Sequence, residues 1–169
     1  LPPAPPPEIE TALRDAWQAG EAAAWLARVS RGRPGWARRA LDDAALTTAR
    51  REAMERIAGT AVADLEQRFI YAGELAVQFS KDRRAVYEQL ELWREWWRDL
   101  MLCRSGVPQA IINTEHTAQL ATQAEAIAMP RLRAVLNEID EAVRALRQNA
   151  HPRLVLENMM LRIPEKTNA

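Results

Sequence analysis

The side chains of this sequence that could do chemistry are few and dispersed. His116 and His151 stand far apart, and neither has a histidine, cysteine or carboxylate at metal-ligand spacing. Neither the Glu-flanked histidine pair of a zincin nor a paired-cysteine knuckle occurs, and phosphate-cradling patterns of the Gly-x-x-x-x-Gly-Lys and Gly-x-Gly-x-x-Gly kind are missing. Cys103 lies on an apolar helix face, where packing explains it better than nucleophilic chemistry does. The carboxylate pairs Glu138/Glu141 and Glu91/Glu95 fall opposite apolar stripes, as a solvated helix face would place them. On this reading the chain is not an enzyme and has no catalytic residue, no cofactor site and no metal site.

One constellation rises above this background. Trp93, Trp96 and Trp97 recur at i, i+3 and i+4, so all three project from one side of a helix, with Leu100 beside them. They form either a core cluster or a contact surface, since tryptophan is enriched at interface hot spots. These three are the interface candidates. A platform for stacking nucleic-acid bases is disfavoured by Glu91, Glu95 and Asp99 on the same helix.

The elements that position these residues are all helical. With 6 glycines in 169 residues and an excess of Ala, Leu, Arg and Glu, the chain has the vocabulary of helices, and no convincing alternating strand pattern occurs. Residues 1–7, Leu-Pro-Pro-Ala-Pro-Pro-Pro, read as an extended linker. Helices are expected over 8–19, with Ile9, Leu13, Ala16 and Trp17 on one stripe and Gly20 at its end, over 21–31, ended by Gly32, and from Pro34 onward. Apolar residues from Leu46 to Phe79 repeat at three and four, as one long helix or as two broken near Gly59-Thr60. Glu52 with Arg56 and Asp64 with Arg68 are expected as i,i+4 pairs. Asp82 can cap a helix to about residue 104. A loop with Ile111-Ile112-Asn113 follows, then helices over 115–128, from Pro130, and after Asn149-Ala150-His151-Pro152.

Composition narrows the partners. The 23 basic and 23 acidic side chains cancel, whereas gripping phosphate backbones takes a basic excess. A single cysteine fits a reducing compartment, and no run of ~18 apolar residues marks a membrane span.

Three segments carry a resemblance. The stretch from Leu26 to Ala37, with Gly32-Arg33-Pro34-Gly35-Trp36-Ala37 at its end, resembles the second-domain signature of bacterial clamp-loader subunits of the AAA+ group. Trp97-Arg98-Asp99-Leu100-Met101 is similar to the Arg-Asp-Leu-Leu element of their collar domain. Asn149-Ala150-His151-Pro152-Arg153-Leu154-Val155-Leu156-Glu157 is similar to the Asn-x-Asn-Pro-x-Leu-x-Leu-Glu stretch near the collar's end. The motif residues are thus Gly32, Pro34, Gly35, Ala37, Arg98, Asp99, Asn149, Pro152, Leu154 and Glu157. Serine is common in the family where Arg33 stands, and asparagine where His151 stands.

Gly35 occupies the place of the arginine with which ATP-hydrolysing gamma/tau-type members sense the nucleotide phosphate. The resemblance is therefore to the non-hydrolysing delta-prime branch. It implies an all-α chain with a small three-helix AAA+ lid-type domain over residues 1–44 and an oligomerising collar bundle over 45–169. It also implies a cytoplasmic, non-catalytic scaffold in DNA replication, whose partners are delta-type and gamma/tau-type subunits, without direct nucleic-acid or membrane contact. A gamma/tau-type ATPase fragment and an unrelated helical ligand-binding or enzyme bundle stand as the alternatives.

Overall fold

The computed structural model describes residues 4–164, and all of their regular structure is helical. Among these residues nine α-helices follow one another: α1 (Pro6–Asp15), α2 (Ala22–Val29), α3 (Pro34–Asp42), α4 (Ala44–Ala61), α5 (Leu65–Lys81), α6 (Arg83–Arg104), α7 (Thr117–Glu125), α8 (Met129–Arg147) and α9 (Pro152–Arg162). Short 3-10 turns at Pro108–Ala110 and Thr114–His116 lie between α6 and α7. The chain forms two compact units, Leu1–Glu52 and Ala53–Ala169, with the division inside α4. The sequence had placed a boundary at 44/45, in front of most of that helix.

In the first unit α1, α2 and α3 pack around Ile9, Leu13, Ala23, Leu26, Ala27, Ala37 and Ala40. The expected proline linker is shorter than its composition indicates. Residues 1–3 lie outside the described residues, and Pro6 and Pro7 form the first turn of α1. Proline is tolerated there because first-turn N–H groups have no intrahelical acceptor. The Ala4 N–H donates to the Gly32 carbonyl at 3.1 Å. Helix α1 also stops earlier than expected, at Asp15. Gln18 and Gly20 both take positive φ, and the Ala19 N–H folds back on the Leu13 carbonyl at 2.9 Å. Trp17, expected on the inward stripe, is consequently in the turn and exposed, with Arg38 over its ring.

The second unit is a bundle in which α6 packs on α5, α7 and α8, while α9 packs on α5 and α8. The apolar repeat between Leu46 and Phe79 resolves into two helices. Asp64 ends the ambiguity: its side chain accepts from the Gln67 N–H at 2.9 Å and caps α5. Asp82 does the same for α6, accepting from the Ala85 N–H at 3.0 Å. Two helices end in Schellman turns. After α6, Gly106 takes φ +75° and the Val107 N–H reaches the Leu102 carbonyl. After α8, Asn149 takes φ +60° and the Ala150 N–H reaches the Ala145 carbonyl. This accounts for Asn149, since asparagine adopts the left-handed region more readily than other non-glycine residues.

Helix α9 begins with Pro152 at its first position and His151 as its N-cap, and the imidazole makes no capping hydrogen bond. The first-turn N–H groups of α9 therefore lack the side-chain acceptor that asparagine or serine would supply. The His151→Asn variant is expected to be more stable by about 0.5–1 kcal/mol in denaturant melts. Equal or lower stability would show that the imidazole is held by a tertiary contact instead.

Candidate functional site

Helix α6 organises the second unit. Val86, Leu90, Trp93, Trp96, Trp97 and Leu100 are all fully buried, and the indoles pack with Met54, Ile57, Leu120, Leu132, Ile139, Leu156 and Met160 in one core. The sequence left a core cluster and a contact surface open for Trp93, Trp96 and Trp97. At 0 % exposure they are core, and as the chain stands they present nothing to a partner. The Trp93 Nε1–H donates to the Tyr71 hydroxyl at 3.1 Å, their rings 5.8 Å apart. Burial pushes the Tyr71 hydroxyl up from its ordinary value, so it stays protonated. The Trp96 Nε1–H donates to Gln123 Oε1 at 3.2 Å, and the His116 ring meets the Trp96 ring edge-to-face. Trp97 Nε1 is buried with no acceptor among the described residues.

Two carboxylates on α6 are buried, and of these Glu95 departs from the solvated face expected for the Glu91/Glu95 pair. Glu95 is 5 % exposed and Asp99 is fully buried. Asp99 Oδ2 accepts from the Ile112 N–H at 3.0 Å, the Asn113 N–H at 2.9 Å and Asn113 Nδ2 at 2.9 Å. Arg98, half-buried, reaches Asp99 Oδ1 at 3.5 Å. The Arg98-Asp99 element is thus the clamp that holds the irregular segment 105–116 onto the helix. Its partners in that segment give no signal beyond two isoleucines and an asparagine in a loop. Burial raises the Asp99 carboxyl above its ordinary 3.8, and the hydrogen bonds from Asn113 and Ile112 oppose it without reversing it. Burial, with the Asp99 charge adding to it, likewise raises the Cys103 thiol, which makes it a weaker nucleophile at neutral pH.

The expected pairs of Arg56 and Arg68 are replaced by others. Arg56 pairs with Glu74 on α5 and lies over the Tyr71 ring. Arg68 is buried, donating through Nη1 to the Ile163 carbonyl at 2.8 Å and through Nη2 to Pro164 at 2.9 Å and Ala61 at 3.4 Å. It thereby ties the C-terminal ends of α4 and α9, where a cation is also favoured by the helix dipoles.

The remaining motif residues divide between the units. In the first, Gly32 has φ +75°, Pro34 opens α3, Gly35 is exposed, and Ala37 is buried. In the second, Asn149 Oδ1 accepts from Arg83 Nη1 at 3.2 Å, Pro152 opens α9, and Glu157 pairs with Arg153 at 2.8 Å. Leu154 is 65 % exposed. Among the described residues no group of three or more His, Cys, Asp or Glu side chains could hold a metal ion, and no helix is long and apolar enough to cross a membrane.

The polar contacts of the tryptophans and of Asp99 set distinct expectations. Trp96→Ala should cost about 3–5 kcal/mol in thermal or denaturant melts, as removal of a fully buried indole does. Trp97→Phe should cost less than Trp96→Phe, because only the latter leaves an acceptor, Gln123 Oε1, without its donor. A reversed order would refute this account of the core.

Asp99 carries a pH signature. Its folded value lies above its unfolded one, so between the two the folded state binds more protons. Its contribution is full below the unfolded value and falls as pH rises through the folded value. The stability difference between wild type and Asp99→Asn should therefore move in favour of wild type as pH is lowered from 7 towards 4. Parallel melts of the two proteins read this directly, and a shift the other way would overturn it.

No curated protein and no solved structure matches the chain. A family model does: the one described as DNA polymerase III, delta subunit, C terminal, matches residues 48–165. That span takes in the α6 tryptophans, the Arg98-Asp99 clamp and the turn from Asn149 into α9. A match of that extent makes this chain a member of the family formed by the C-terminal part of the DNA polymerase III delta subunit.

Proposed function

We propose that this chain is a scaffold of the replicative clamp loader, of the non-hydrolysing delta-prime type, and that it acts through geometry rather than chemistry. The observation that carries the proposal is the family match over residues 48–165, spanning nearly the whole of the second unit. On this reading residues 45–169 are the collar that joins subunits into a ring, and residues 1–44 are an AAA+ lid-type domain. The partners are delta-type and gamma/tau-type subunits in the cytoplasm, and the chain needs neither cofactor nor direct DNA contact.

The delta-prime assignment rests on Gly35. In the second-domain signature an arginine at that place senses the nucleotide phosphate, and a glycine carries no charge to do so. Gly35 stands on the exposed side of α3, and apart from its chain neighbours and its own helix backbone no atom lies within 4 Å of where a Cβ would be. A larger side chain would fit there, so packing does not demand the glycine. A gamma/tau-type ATPase fragment is the second reading, favoured by the overall order of the motifs and opposed by this one position.

Titration calorimetry with ATP and magnesium should show no saturable binding, and micromolar binding would overturn the non-hydrolysing assignment. Joint expression of this protein with delta-type and gamma/tau-type subunits should yield one complex on size exclusion. Its absence would overturn the scaffold reading.

A further inference from the structure

Four helix termini of the second unit meet at one end of the bundle: the end of α5, the start of α6, the end of α8 and the start of α9. The contact that fixes this is Arg83 Nη1 donating to Asn149 Oδ1 at 3.2 Å. Lys81, Arg83 and Arg147 are exposed there, and none of the three forms an ion pair among the described residues. Their neighbours Arg84 and Arg153 do, with Glu88 and Glu157. The Asp82 carboxylate lies in the same turn, with Oδ1 accepting from the Ala85 N–H.

The two arginines are held by rings rather than by carboxylates. The Arg83 guanidinium lies 5.2 Å from the centre of the Phe79 ring, and that of Arg147 lies 5.8 Å from the centre of the Tyr87 ring. Those rings meet edge-to-face at 5.7 Å, so the four side chains form one continuous stack. An aromatic ring orients a guanidinium without cancelling its charge. Fold stability accounts for only part of this arrangement. Lys81 and Arg147 stand at helix C-termini, where the dipole favours cations, but Arg83 and Arg84 open α6, where it opposes them.

We propose that this end of the bundle is a docking site for an acidic peptide segment that also carries aliphatic side chains. Three oriented cations without a carboxylate call for an anionic partner. What stands beside them selects the kind of anion. Val77 lies one turn before Lys81 on α5, Leu154 follows Arg153 on α9, and both are exposed. A phosphate backbone gains nothing from aliphatic neighbours. The rings on which a base would stack are also taken, Phe79 by burial and Tyr87 by Arg147. A peptide of glutamate, aspartate and leucine answers both features, with carboxylates for the guanidinium forks and leucines for Val77 and Leu154. This docking site goes beyond the clamp-loader reading and does not depend on it.

The test follows the fluorescence anisotropy of a short labelled peptide of glutamate, aspartate and leucine as the protein is added. A matching peptide with glutamine and asparagine, and a labelled oligothymidine strand, are titrated in parallel. Lys81→Gln/Arg83→Gln/Arg147→Gln removes the patch. Arg104→Gln/Arg131→Gln/Arg133→Gln removes the same charge from the opposite ends of α6 and α8, where these arginines are exposed as well. Lys81→Gln alone leaves both ring stacks in place, and thermal melts report the fold of every variant. The acidic peptide should bind saturably and more weakly as salt rises. Its affinity should fall at least tenfold in the patch variant, fall less in Lys81→Gln, and hold in the opposite-end variant. No saturable binding overturns the proposal, as does equal binding of the amide peptide or the oligothymidine. Equal loss in the opposite-end variant overturns it too, since net charge alone would then explain the affinity. Wild-type self-association that the patch variant dissolves has the same force, because the occupant would be a second copy. If the patch variant does not fold, an unchanged affinity in Lys81→Gln is sufficient to reject the site.

Discussion

Three tryptophans within five residues of one helix are the constraint on which the second unit depends. Indoles of this size bury roughly 150–250 Å² each, so α6 cannot lie on a surface and must be wrapped. The wrapping is specific because two of the indole N–H groups address different helices. Trp93 finds the Tyr71 hydroxyl on α5, and Trp96 finds Gln123 on α7. Gln123 Nε2 in turn approaches the Ala58 carbonyl of α4 at 3.4 Å. Apolar burial supplies the driving force, and the polar ends fix which helix packs where.

Buried charge does the complementary work at the ends of elements. Asp99 gathers two backbone N–H groups and a side-chain amide from residues 112 and 113, which follow it by only a dozen or so positions. Arg68 reaches carbonyls almost a hundred residues away, at Ile163 and Pro164. Each satisfies backbone groups that a helix bundle otherwise leaves unpaired where its helices stop. A body whose loops and helix ends are held in this way resists fraying at those ends.

The helices themselves were legible in the sequence for local reasons. Asp82, Pro130 and Pro152 are boundary residues whose chemistry acts within one turn, and the structure places each at a helix start, whereas the break expected near Gly59-Thr60 lies after Ala61, with Asp64 capping α5. What escaped the reading acts over longer range. Arg68 looked like half of an i,i+4 pair because nothing near it in sequence shows that α9 ends beside it. Glu95 looked solvated because periodicity assigns one face of a helix to water, and α6 is covered on more than one face. Trp17 failed the other way: Gln18, a residue with no strong turn preference, takes the left-handed region and lifts the indole out of the stripe. The tryptophan row was visible as a pattern, but only burial could separate a core from a surface.

Helix α9 carries apolar residues that do not keep to one face. Leu156, Met159 and Met160 are buried, while Leu154 and Leu161 stand in solvent. A helix that is apolar all round is stable when it is covered all round, and within this chain α5 and α8 cover only part of it. Leu154 is also one of the residues on which the family resemblance rests, and it makes its mark outside the core. Core packing therefore cannot be what the motif encodes at that position. Leu154 and Leu161 are instead aliphatic surface that the described residues leave in solvent.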